Sequence, residues 1–236
     1  MDALVLCGGK GTRLQSVVSD RPKILADIDG QPFLYYHLKY LQDNGIKRVT
    51  LCTGYKHEQI REWIYEEYEG PLDVEISKEE EPLGTAGAIK NANNSQMDPY
   101  MFGMNGDTFF DVSFNDVRDF FFEKDAMFCV VLSQQDDSSS SGNVVLGPDD
   151  TIMEFKEKSN DNETWLSTGL YFYNRAVFDE IPDGYQSLEY DLMPYLVEKY
   201  PGRIFGYRSD REFLDFGVPE KYRFAKLSAT YNKESQ

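Results

Sequence analysis

The sequence predicts an α/β domain in which a mostly parallel sheet carries helices on both faces. Strand-length apolar runs alternate with helix-length segments as far as Asn105, the signature of βα units joined by crossovers. Within Pro32–Asn44, Phe33, Tyr36, Leu38, Tyr40 and Leu41 recur near helical spacing, and Gly45 follows as a C-cap. With 236 residues, 41% of them hydrophobic, the chain can bury one large core.

In chain order, the expected strands of the first half are Ala3–Cys7, Arg48–Thr53, Leu72–Ile76 and Met101–Asn105. The expected helices between them are Pro32–Asn44, Glu58–Glu67 and Thr85–Asn93. Beyond Asn105 the pattern becomes mixed, with strands at Met127–Leu132, Asn143–Leu146, Thr151–Phe155 and Thr168–Tyr173 and helices at Arg175–Ile181 and Glu189–Lys199. The chain thus reads as a single domain in two halves, 1–110 and 111–236, without an internal repeat. Asp136–Gly142, with four consecutive serines, reads as a surface loop. Glu66 to Glu81 holds eight carboxylates against Lys78 alone, a solvated acidic face. Phe120, Phe121 and Phe122 are consecutive, so one helix face cannot bury all three, and a subunit contact in a homo-oligomer would cover one.

Composition excludes whole classes of function. Lys and Arg number 24 against 41 Asp and Glu, a net charge of −17. Such a surface does not displace counterions from nucleic acid or from an anionic membrane. No apolar run approaches the roughly 20 residues that span a bilayer. The start, Met1-Asp2-Ala3-Leu4-Val5-Leu6-Cys7, lacks a positive n-region, so no secretory signal is expected. Cys7, Cys52 and Cys129 lie in apolar runs without ligand spacing and read as buried thiols of a cytoplasmic protein. His37 and His57 read as surface or helix-packing residues, and no Ser/His/Asp arrangement is visible.

The first strand runs into Gly8-Gly9-Lys10-Gly11-Thr12-Arg13-Leu14. Glycines past the carboxyl end of a strand let backbone N–H groups wrap anionic oxygens, and Lys10 and Arg13 supply local positive charge in an otherwise acidic protein. A Walker A loop is absent, and a dinucleotide fingerprint fails at Leu14, where a small residue is required. Together with Arg21-Pro22-Lys23, the turn resembles that of the sugar-1-phosphate nucleotidylyltransferases, or NDP-sugar pyrophosphorylases. Departures are Gln15-Ser16-Val17 for the family's Pro-Leu-Thr and Ile24 for its second Pro.

The resemblance implies the Rossmann-like nucleotide-diphospho-sugar transferase fold, with a nucleotide-binding half at 1–110 and a sugar-phosphate-binding half at 111–236. It implies that Leu6, Cys7, Gly8, Gly9, Gly11 and Thr12 cradle a nucleoside triphosphate, that Arg13 contacts its phosphates and that Lys23 neutralises the reacting ones. In-line nucleotidyl transfer gains chiefly from positioning and from such cations. Asp107, after strand Met101–Asn105, and Asp215, in Phe213–Pro219, are carboxylates at strand ends, a pair suited to Mg²⁺. The family's Gly-Asp and later Asp-x-Gly imply both as metal ligands. Glu157-Lys158 resembles the family's Glu-Lys-Pro, with Ser159 for the Pro, implying that Lys158 meets the sugar phosphate and Glu157 a hydroxyl. An exposed salt-bridged strand is the other reading. By the same resemblance Gly142, Thr168 and Gly169 line the sugar pocket, and Ser167 replaces a common Asn. Glu189 either binds a hydroxyl or shares helix capping with Asp191. Arg13, Lys23, Asp107 and Lys158 form the implied catalytic set.

Glu79-Glu80-Glu81-Pro82-Leu83-Gly84-Thr85 resembles the family's base-recognition loop. Guanine offers two donors on one edge, so a carboxylate such as Glu79 or Glu80 selects it, with Pro82, Gly84, Thr85 and Asn105 completing the site. The run Asn105–Asp111 resembles the heptose 1-phosphate guanylyltransferases. It implies GTP plus D-glycero-D-manno-heptose 1-phosphate giving GDP-heptose and pyrophosphate, for bacterial surface polysaccharides. Mannose, glucose or MurNAc 1-phosphate with CTP, UTP or dTTP stays open, as does a non-catalytic nucleotide-sensing paralogue. A glycosyltransferase would want an Asp-x-Asp motif, which Gly106-Asp107-Thr108-Phe109 lacks.

Overall fold

The structure is a computed structural model and describes residues 1–11, 18–94, 96–134, 142–156, 165–211 and 213–215. Along the chain run β1 (Asp2–Leu6), β2 (Asp27–Ile28), β3 (Gln31–Pro32), α1 (Phe33–Asp43), β4 (Arg48–Thr53), α2 (His57–Glu66), β5 (Asp73–Lys78), α3 (Gly84–Ala92) and β6 (Tyr100–Asn105). There follow β7 (Thr108–Phe110), α4 (Phe114–Glu123), β8 (Phe128–Ser133), β9 (Asn143–Leu146), β10 (Ile152–Lys156) and β11 (Trp165–Asn174). Last come α5 (Met193–Lys199), β12 (Ile204–Ser209) and β13 (Phe213–Asp215).

Nine strands form one sheet. Its first half is parallel, with β5, β4, β1 and β6 side by side in that order, and its second half joins through β11, antiparallel to both β6 and β8. Both halves therefore share one sheet. β1 is covered on both faces because its alternate residues enter different cores. Ala3 and Val5 pack with Leu34, Leu38 and Leu41 of α1, Ile60 and Ile64 of α2 and Phe114, Val117 and Phe121 of α4. Leu4 packs with Ala86 and Ile89 of α3 and Met193 and Leu196 of α5. No helix among the described residues is long and apolar enough to cross a membrane.

The register matters most at the carboxyl edge. Leu6 lies opposite both Cys52 and Asn105, and Cys52 lies opposite Ser77. Four parallel strands thus stop level with one another, and the residues after them, Cys7–Gly8, Gly54, Glu79 and Gly106–Asp107, open into one space.

Two expected elements take another form. Arg175–Ile181 is a short 3₁₀ helix, Arg175–Glu180, and the expected helix from Glu189 begins as a π turn, Leu188–Leu192, before α5. The Phe120–Phe122 run lies in α4 and its rings do divide: Phe121 is buried against Tyr100 and Phe172, Phe120 packs toward Phe205 and Tyr207, and Phe122 remains half exposed. Asp136–Ser141 lies outside the described residues. All three cysteines are buried free thiols.

Candidate active site

The aligned strand ends enclose a cavity of about 950 Å³. Leu6, Cys7, Gly8, Gly9, Lys10 and Gly11 line it from β1 and its turn, and Lys23 and Ile24 from the 3₁₀ turn that follows. Lys23 Nζ lies 2.6 Å from Asp107 Oδ2, in a largely buried ion pair that joins the phosphate-turn region to the end of β6. The second implied metal residue approaches through the backbone: β13 pairs antiparallel with β7, and Asp215 stands opposite Thr108, next to Asp107.

The β7 segment is held from below by α1. Buried Tyr40 donates its hydroxyl to Phe110 O at 2.6 Å and accepts from Val112 N–H. One turn earlier, His37 is fully buried and edge-on to Phe33. Burial lowers its pKa to about 4, against the opposing pull of nearby Asp107, so the imidazole is neutral at pH 7. The helix-packing reading of His37 therefore holds. His57 Nδ1 lies 2.8 Å from Thr53 Oγ1, at the start of α2.

Glu79 departs from the acidic-surface reading. Its carboxylate fills a slot between two glycines: a Cβ on Gly54 would stand 2.3 Å from Oε1, and one on Gly8 2.6 Å from the same atom. Oε2 accepts the Leu83 N–H at 3.1 Å. Glu79 thus braces its own loop, and its charge adds to burial and Cys52 in pushing up the Cys7 thiol. Glu80 is 82% exposed and pairs with Lys78. Both glutamates line the cavity, as do Pro82, Gly84, Thr85 and Asn105.

On the opposite wall, β11 and the π turn bring Tyr171 and Glu189 together, the Tyr171 hydroxyl donating to Glu189 Oε1 at 3.4 Å. Burial raises the pKa of Glu189, and Asp107 raises it further across the cavity. The two readings of Glu189 and Asp191 separate here. Asp191 Oδ2 accepts the Ser187 N–H and Ser187 Oγ accepts the Tyr190 N–H, so Asp191 does the capping while Glu189 faces the cavity.

Other implied sugar-site residues stand further back. Thr168 is buried and its hydroxyl donates to Val131 O, tying β11 to β8 beside a register shift, away from the cavity lining. Gly169 packs against Asn105: its φ of +75° suits glycine, and a Cβ there would fall 2.4 Å from Asn105 Nδ2. Gly142 lies behind Glu189, 3.7 Å from a Cβ to its Cδ, with its carbonyl accepting from Ser167 N–H. Thr12, Arg13, Glu157 and Lys158 lie outside the described residues. Sequence reasoning missed Gly54, Tyr55, Tyr185 and Tyr190, all of which line the cavity. Gly54 alone carried a signal, since it follows the end of β4 as Gly8 follows that of β1.

The chain is similar to known proteins over nearly its whole length. The family model described as nucleotidyl transferase matches residues 2–230. A D-glycero-alpha-D-manno-heptose 1-phosphate guanylyltransferase of Aneurinibacillus thermoaerophilus is 37% identical over 96% of this chain and 97% of its own. One from Campylobacter jejuni is 34% identical over 94% and 97%. The solved structure of HddC from Yersinia pseudotuberculosis complexed with GMP-PN superposes with a TM-score of 0.84 at 30% identity, covering 96% of this chain and 98% of that one.

Proposed function

The chain belongs to the nucleotidyl transferase family, and from that premise we propose that it transfers GMP from GTP to a sugar 1-phosphate, D-glycero-α-D-manno-heptose 1-phosphate above others. One observation carries the reading. The ends of four parallel strands, the Lys23–Asp107 pair and the half-buried Glu189–Tyr171 pair face one cavity, so a nucleotide and a polyhydroxylated acceptor would meet there.

In the reaction an acceptor phosphate oxygen attacks the α-phosphorus of GTP. A new P–O bond forms as the bond to the bridging α–β oxygen breaks, and pyrophosphate leaves with the electron pair. No protein nucleophile is required. The glycine turn from Gly8 to Thr12 would supply N–H donors, and Arg13 and Lys23 the positive charge that favours the leaving group. Lys158 would hold the acceptor phosphate, with Glu157 and Glu189 on hydroxyls. Magnesium fits the donor set, because Asp107 already faces a cation, the Lys23 ammonium, and Asp215 lies in register beside it. When bound it would supply further charge neutralisation on the triphosphate. Glu79, braced against Gly8 and Gly54, would fix the 79–85 loop at the guanine, leaving Glu80 to meet the base edge.

The names of the relatives from A. thermoaerophilus and C. jejuni support guanine and heptose in particular. The test is a matrix of NTPs against sugar 1-phosphates read by pyrophosphate release. GTP with the heptose phosphate is expected to give the highest kcat/KM. Preference for another nucleotide, or release with no pair, overturns the proposal.

A further inference from the structure

Tyr185 and Tyr190 are among the most exposed large hydrophobic side chains of the molecule, at 67% and 65%, yet both line the cavity. An exposed aromatic ring in a concave site invites a ligand more than one on a convex surface. Neither ring stacks on another aromatic side chain and neither hydroxyl makes a hydrogen bond among the described residues.

Their backbone, by contrast, is firmly held. Gln186 N–H donates to Leu83 O, Gln186 O accepts from Ala86 and Gly87 N–H, and Leu188 N–H donates to Thr85 Oγ1. Ser187 and Asp191 cap the turn that carries Tyr190. Fixed main chain beneath unengaged rings is a preorganised support, which lowers the ordering cost of binding. Glu189 stands between the tyrosines in sequence, turned inward to Tyr171.

We propose that Tyr185 and Tyr190 form the aromatic wall of the acceptor subsite, receiving the C–H face of the sugar ring while Glu189 takes one of its hydroxyls. The inference rests on the sugar-1-phosphate reading above and names what selects the sugar. A pyranose presents both halves of the required chemistry, hydroxyls at its edge and weakly positive C–H groups on its face, which suit a carboxylate and the negative face of an aromatic ring. The nucleotide's own expected supports, at the ends of β1 and β5, line the same cavity.

Two measurements on Tyr185→Ala, Tyr190→Ala and the corresponding Phe variants test it. Saturation transfer from the protein to the C–H protons of the sugar 1-phosphate is expected in the wild type and lost in the Ala variants. In steady state each Ala variant is expected to raise KM for the sugar phosphate about tenfold, with KM for GTP unchanged and the Phe variants restored. Wild-type KM for the sugar phosphate in both Ala variants, or a parallel rise in KM for GTP, overturns the wall and leaves the transferase reading standing. Tyrosine-dependent saturation transfer without turnover overturns the transferase reading and upholds the wall. Neither binding nor turnover overturns both.

Discussion

Gly54→Ala probes the slot that holds Glu79. The new methyl carbon would lie 2.3 Å from Oε1, 2.9 Å from Cγ and 3.0 Å from Cδ of Glu79. Favourable contact begins near about 3.5 Å, so the carboxylate must move by roughly 1 Å. Gly8 stands across the slot, so the retreat is outward, into the cavity, and the Leu83 N–H bond at 3.1 Å is lost. Loss of a hydrogen bond to a charged group costs about 1.5–3 kcal/mol. For a domain of this size that is a fall in Tm of roughly 3–12 °C. Because the displaced side chain belongs to the proposed base loop, KM for GTP is expected to rise about tenfold, equivalent to 1.4 kcal/mol. Thermal melts and pyrophosphate-release kinetics measure both effects. Glu79→Ala empties the slot, so adding Gly54→Ala to it should change stability by less than about 0.5 kcal/mol. A single variant with wild-type Tm and KM, or an equal cost in both backgrounds, refutes the steric argument.

Gly169→Ala combines a left-handed backbone, worth about 1–2 kcal/mol against alanine, with a clash on Asn105. Urea unfolding should show a lower midpoint at unchanged m, and nucleotide affinity should fall as Asn105 shifts; an unaltered midpoint contradicts this. His37 sets a pH dependence. Its folded pKa of about 4 lies below the ordinary 6.5, so between those values the unfolded chain binds the extra proton. Stability present above pH 6.5 is thus lost as pH falls toward 4, by up to about 3 kcal/mol. His37→Phe should flatten that part of the urea-derived stability profile, and a profile as steep as the wild type's would show that other groups cause the slope. Burial raises all three thiols, Cys52 to about 12. Ellman's reagent at pH 8 should therefore label three cysteines only in denaturant, and rapid labelling of the native protein would disprove their burial.

Legibility followed sequence distance. The glycine turn after β1 and the Asp after β6 could be read because each sits just past a strand of plain apolar character. Helix α4 was obscured by its own Phe120–Phe122 run, although Phe114, Val117 and Phe121 mark its buried face. Strand β12 was hidden by Gly206, a residue that disfavours strands, where a Cβ would strike Leu132 at 2.4 Å. Glu79 could not be separated from its acidic neighbours, since what distinguishes it is contact with Gly8 and Gly54 on two other strand ends. For the same reason Glu189 and Asp191 were equivalent in sequence, and the contacts of Glu189 with Tyr171, on β11, and of Asp191 with the Ser187 N–H tell them apart. Pattern along the chain gives elements and their ends; contacts between distant elements assign roles among like residues.

The proposed function requires that Asp107, after β6, and Asp215, at the end of β13, hold one cation beside the triphosphate. Manganese binding in the presence of GTP, followed by electron paramagnetic resonance, measures this without turnover. Asp107→Asn and Asp215→Asn should each weaken manganese binding at least about tenfold, with unchanged circular dichroism. Wild-type manganese affinity in either variant would contradict the claim.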